Sequence, residues 1–149
     1  MSIRKIALPG LALAAGLLGA AVLPPVTAQA GSDRPAVSDD EVYLAAGLRG
    51  ANEVGVPGDR DGRATAAIRI KGSQVTFALR WNRVDPPTAA HIHLGGRGTN
   101  GDVKVDFLAK ALPRTVLGIT GTVTVNDAAL LTALRENPTG FYANLHNGV

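Results

Sequence analysis

From residue 41 onward, hydrophobic and polar positions alternate with a period of two in short runs, the pattern of strands with one buried face. The pattern predicts strands over Val42–Leu48, Ala64–Ile70, Gln74–Trp81, Ala89–Leu94, Val103–Phe107, Gly118–Val125 and Phe141–His146. The two central runs are joined by Lys71-Gly72-Ser73, a short glycine-containing link of the kind hairpins use. In the second of them Val75, Phe77 and Leu79 share one face, and Thr76, Ala78 and Arg80 the other. Asp85-Pro86-Pro87 is expected to stop a sheet, because proline cannot donate to a ladder. One segment breaks the two-residue rule: Leu130, Leu131 and Leu134 stand at helical spacing, with Asn126 as the expected cap of a helix over Asp127–Arg135 and Pro138 beyond it. About seven short strands, glycine and proline turns and one short helix predict an all-β Greek-key sandwich or barrel.

Composition changes the picture at the N-terminus. Arg4 and Lys5 precede an apolar stretch, Ile6–Leu23, then Pro24-Pro25 and Ala28-Gln29-Ala30, with no acidic residue before Asp33. A short positive region, an apolar core and small residues at the last and third-last positions form an export signal, residues 1–30, cleaved after Ala30. An uncleaved anchor is the competing reading, since the apolar stretch just reaches bilayer length; Pro9 and the small-residue site favour removal. Residues 31–40 lack periodicity and are expected to be flexible. Loss of Arg4 and Lys5 lowers the formal charge from +3 to +1. A nearly neutral domain has no broad basic field to attract nucleic acid. Without cysteine, an exported domain has no disulfide, so one hydrophobic core must hold residues 41–149. The expected location is secreted or periplasmic, with no stable membrane span after cleavage.

The candidate chemistry is confined to histidine. His91 and His93 share one face of the Ala89–Leu94 strand, and Tyr142, Asn144 and His146 share one face of the last. If these strands are neighbours, three imidazoles converge at cross-strand distances of roughly 5 Å, as ligands of one ion must. Imidazole suits zinc and copper, and three histidines with an open position form a known mononuclear arrangement. The alternative is that the histidines only make hydrogen bonds within a polar sheet face. Asp59-Arg60-Asp61-Gly62 begins like a calcium loop but lacks the bidentate glutamate at its twelfth position, so a glycine-ended turn is expected. Gly95-Gly96-Arg97-Gly98 precedes no helix and is not a phosphate loop. No serine lies in a nucleophile-elbow sequence. Trp81 and Phe77 are expected to pack in the core or at its rim.

Taken together, Leu48-Arg49-Gly50-Ala51-Asn52-Glu53-Val54, Ala89-Ala90-His91-Ile92-His93-Leu94-Gly95 with Gly98 and Asn100-Gly101, and Phe141-Tyr142-Ala143-Asn144-Leu145-His146 resemble the CHRD domain. That module is repeated in chordin and found singly in exported bacterial proteins. The resemblance spans roughly 41–149 and implies an extracellular all-β domain; chordin's antagonism of growth factors is not carried over. The family positions matched are Glu53, Val54, His91, His93, Gly95, Asn144 and His146. Family members continue past the last histidine into a strand resembling Gly-Glu-Ile-Arg-Gly-Gln-Leu, whereas this sequence ends at Val149, so the domain is expected to lack that strand.

Two functions remain open. One is a non-catalytic binding or structural module whose partner is an extracellular protein or envelope component. The other is a mononuclear copper or zinc protein, with redox or hydrolytic potential, in which His91, His93 and His146 are ligands and Glu53 or Asn144 orients them.

Overall fold

A computed structural model describes residues 4–5, 41–55 and 58–148. Apart from Arg4 and Lys5, the expected export signal and the 31–40 segment lie outside the described residues. The elements are β1 (Arg4–Lys5), β2 (Glu41–Arg49), β3 (Arg63–Lys71), β4 (Gln74–Asn82), β5 (Pro87–Leu94), β6 (Val103–Leu108), β7 (Gly118–Thr124), α1 (Ala128–Glu136) and β8 (Phe141–Asn147), with 3-10 turns at Gly50–Asn52 and Pro138–Gly140. They form two antiparallel sheets, one in the order β1-β2-β3-β4-β7 and one in the order β6-β5-β8. The sheets do not close on each other, so the architecture is an open sandwich and the barrel alternative is set aside.

Strict alternation builds the larger sheet. β2 buries Val42, Leu44, Ala46 and Leu48, β3 buries Ala64, Ala66, Ile68 and Ile70, and β4 buries Val75, Phe77, Leu79 and Trp81. These side chains meet Ala90, Ile92, Val105, Leu108, Phe141 and Ala143 of the smaller sheet in one core, closed at one side by Leu131 and Leu134 of α1. Phe77 stacks on Phe107 across the core with centroids 4.5 Å apart, and Trp81 is buried, so both rings serve packing. A Cβ on Gly121 would come within 2.7 Å of the Phe77 ring, which explains a glycine in the middle of β7.

Three details depart from the sequence expectation. The hairpin link is Gly72-Ser73 alone, because Lys71 pairs with Gln74 and Gly72 takes the left-handed conformation, φ +54°, that a tight turn requires. Pro87 does not precede the sheet but begins β5, the position in a strand that loses least from a missing N–H. The cap of α1 is Asp127, not Asn126: its carboxylate accepts from the Leu130 amide at 2.9 Å, and the helix starts one residue later than expected.

The aspartate segment is a turn. The Gly62 amide donates to the Asp59 carbonyl at 2.8 Å, while the Asp59 carboxylate accepts from the side chain of Asn147 and from the Asp85 amide. Asp59 therefore ties the β2–β3 loop to the end of β8.

Candidate metal centre

β5 is the central strand of the small sheet, so its outward face carries side chains flanked on both sides. Antiparallel pairing with β8 sets His91 opposite Asn144, His93 opposite Tyr142 and Ala89 opposite His146. His146 is thus diagonal to His91. The ring centroids lie 5.5 Å apart for His91–His93, 5.2 Å for His91–His146 and 6.2 Å for His93–His146. One nitrogen from each ring falls within 4.8 Å of the other two. Ligands at 2.0–2.1 Å from a tetrahedral ion stand about 3.4 Å apart, so convergence needs each ring to move inward by less than about 1 Å.

The other nitrogens are tied, and this decides the tautomers. His93 Nδ1 lies 2.9 Å from the Gly101 carbonyl; a carbonyl only accepts, so Nδ1 carries the proton and donates, leaving the Nε2 lone pair free. That Nε2 is buried and has no hydrogen-bond partner. His91 is the mirror case. Its Nε2 lies 3.3 Å from the Asp106 carboxylate, and its Nδ1 is the buried atom without a partner. Two buried nitrogens without partners on adjacent rings would be a desolvation cost in a purely structural sheet face. As ligand atoms they are the expected state.

The site is walled more deeply than an outward sheet face usually is. His93 and Tyr142 are each only 8% exposed. The loop after β5 folds back over them: Tyr142 stacks on His93 at 4.8 Å and 9°, and the Gly101 amide donates to the Tyr142 hydroxyl at 3.1 Å. Gly101 thereby fixes both rings at once. No larger residue fits there, since a Cβ would fall 1.6 Å from the Leu94 carbonyl oxygen.

Electrostatics point the same way. Burial pushes the His91 imidazole below its ordinary pKa, reinforced by repulsion from His146 and His93 and opposed by Asp106. The neutral ring, the form that ligates, is favoured.

Glu53 and Asn144 occupy the rim. Asn144 Nδ2 donates to Glu53 Oε2 at 3.5 Å and Asn144 Oδ1 accepts from the Leu145 amide, so the pair bridges the β2–β3 loop to β8. The residues that hold the histidines are Asp106 and Gly101. Sequence reasoning passed over both: Asp106 because two register shifts between β5 and β6 decide which residue faces His91, and Gly101 because the Asn-Gly step signals a turn and nothing more.

Comparison with known proteins agrees with the motifs that carry these residues. A family model for the CHRD domain matches residues 44–148. The chain belongs to the CHRD domain family. The match runs from within β2 to the end of β8 and takes in all three histidines of the CHRD domain. No curated protein and no solved structure gives a match. Among the described residues no helix is long and apolar enough to cross a membrane.

Proposed function

We propose that this CHRD domain is an exported module that binds one copper or zinc ion through His91 Nδ1, His93 Nε2 and a nitrogen of His146. The observation that favours this over a metal-free binding module is that His91 Nδ1 and His93 Nε2 are buried without a hydrogen-bond partner, on two of three rings that each bring one nitrogen within 4.8 Å of the others. Each of these two has its opposite nitrogen held by a carboxylate or a carbonyl, the arrangement that orients metal-bound histidine and raises its basicity. Three neutral nitrogen donors suit zinc or copper and leave a fourth position for water or a partner's ligand. The reading is of a binding site, and a reaction is no part of it. Export rests on the leader sequence, and its check is the N-terminus of the protein recovered outside the cytoplasm, expected at Gly31.

Elemental analysis of untagged protein tests the metal. The expected content is close to one ion per chain, lost in His93→Ala. Sub-stoichiometric metal that this substitution leaves unchanged would overturn the proposal.

A further inference from the structure

The outer face of β2, β3, β4 and β7 is used neither by the core nor by the histidines, which project from the other sheet. Strand register arranges its side chains in rows. Arg49 stands directly opposite Arg63, with Asn82 beyond; Gly47, Thr65, Arg80 and Gly118 form the next row, and Ala45, Ala67, Ala78 and Thr120 the one after. Like charges directly opposite in an antiparallel pair destabilise it, and Arg80 adds a third cation diagonal to Arg63. All three arginines are exposed. Among the described residues none of the three has a hydrogen-bond or carboxylate partner, whereas Arg69, Arg83 and Arg114 each have an acid and Arg135 holds the Gly72 carbonyl.

A second observation falls on the same end of the sheet. A shallow, open groove of about 850 Å³ runs over β3, β4 and β7, its walls including Arg63, Thr65, Arg80, Asn82, Leu117 and Thr120. Its floor is low where Ala78 and Gly118 line it, and a Cβ on Gly118 would meet the Leu79 carbonyl at 2.8 Å. Unpaired guanidiniums at the edge of a groove bind anions bidentately. Hydroxyl and amide side chains between them match a hydroxyl-rich ligand.

We infer that this groove binds a linear acidic polysaccharide, with Arg63, Arg80 and Arg49 on its carboxylate or sulfate groups and Thr65, Asn82 and Thr120 on its hydroxyls. An open groove suits a chain lying across the sheet better than an enclosed small molecule. Nucleic acid is disfavoured, because base recognition needs exposed stacking platforms: Trp81, which lines the groove, is buried, and Tyr43 on the same sheet face is bonded to Glu41 at the far end. A lipid surface is disfavoured because, of the large apolar side chains that line the groove, Leu117 alone is exposed, Leu79 and Trp81 being buried and Ile119 partly so. The inference does not depend on the metal site, which lies on the opposite side of the sandwich.

Affinity electrophoresis of the purified protein tests it, with polygalacturonate, dextran sulfate, neutral dextran, single-stranded DNA and vesicles of anionic lipid as probes. Retardation is expected with polygalacturonate or dextran sulfate, the stronger of the two identifying the anion, and none with neutral dextran. Arg63→Gln and Arg80→Gln should each weaken binding by about three- to tenfold and lower the salt slope by about one. Arg114→Gln, whose partner is Asp85, should leave it unchanged. Arg63→Lys keeps the charge and loses the fork, so it should fall between wild type and Arg63→Gln. Absence of binding to both acidic polymers overturns the inference. So does an Arg63→Gln/Arg80→Gln protein that melts and binds like wild type, or tighter binding to DNA or vesicles.

Discussion

His91 and His93 are left with opposite nitrogens free, because Asp106 holds Nε2 of one and Gly101 holds Nδ1 of the other. Removing the holder should therefore weaken metal binding without removing a ligand. Asp106→Asn is expected to lower metal affinity by about 10- to 100-fold, read by competition against a chromophoric chelator, with the lower end favoured because Asp106 is exposed. Glu53→Gln is the control: Glu53 accepts a hydrogen bond from Asn144 and not from an imidazole, so its effect should be several-fold smaller. At the core, Ile92 is fully buried between the two histidines in sequence and on the opposite face of β5. Ile92→Ala should destabilise the domain by about 2–5 kcal/mol in urea unfolding, with the metal content of the folded fraction retained. The three histidines were legible because a two-residue period states which side chains share a face. Asp106 was not, because its place opposite His91 depends on the slip between β5 and β6, and hydrophobic alternation does not record a slip of that kind.

Element by element, alternation located the strands well and their ends less well. β2 and β3 extend one residue beyond the expected run at each end and β4 one residue at its C-terminal end, because backbone pairing continues where side chains are already polar. The helix tests capping directly. Asp127→Ala should cost about 0.5–2 kcal/mol of stability and Asn126→Ala much less, since only the Asp127 carboxylate accepts from the first turn. Both are measured by denaturant midpoint. In β7, Gly121→Val should be more harmful than strand propensity suggests, because the new side chain meets the Phe77 ring. A loss of near-ultraviolet ellipticity or of the folded baseline would show it. Propensity alone points the other way, as valine is a better strand former than glycine.

Over the whole molecule, the acid limb of stability has an identifiable source at the start of β2. The Tyr43 hydroxyl donates to Glu41 at 2.6 Å and holds that carboxyl below its usual pKa, against burial and with help from Arg69 and Lys71. A depressed carboxyl contributes stability that is present above the unfolded value, about 4.3, and is lost as pH falls through the folded value. Tyr43→Phe should flatten that loss, seen as urea midpoints that vary less with pH through the carboxylate range. Charge shows the limit of composition at this scale: a formal charge of +3 says nothing of three arginines gathered on one end of one sheet face, none with a partner among the described residues. The same contrast holds throughout. The order of polar and apolar residues determined the all-β class, the buried faces and the shared face of each histidine, because these follow from local periodicity. Only the tertiary structure decided that the sheets stay open, that β5 and β8 are neighbours, that Asp106 and Gly101 select the free nitrogens, and that Arg49, Arg63 and Arg80 meet. Each depends on pairing between residues far apart in the chain, which is set by how two twisted sheets pack over one core and not by any short run of sequence.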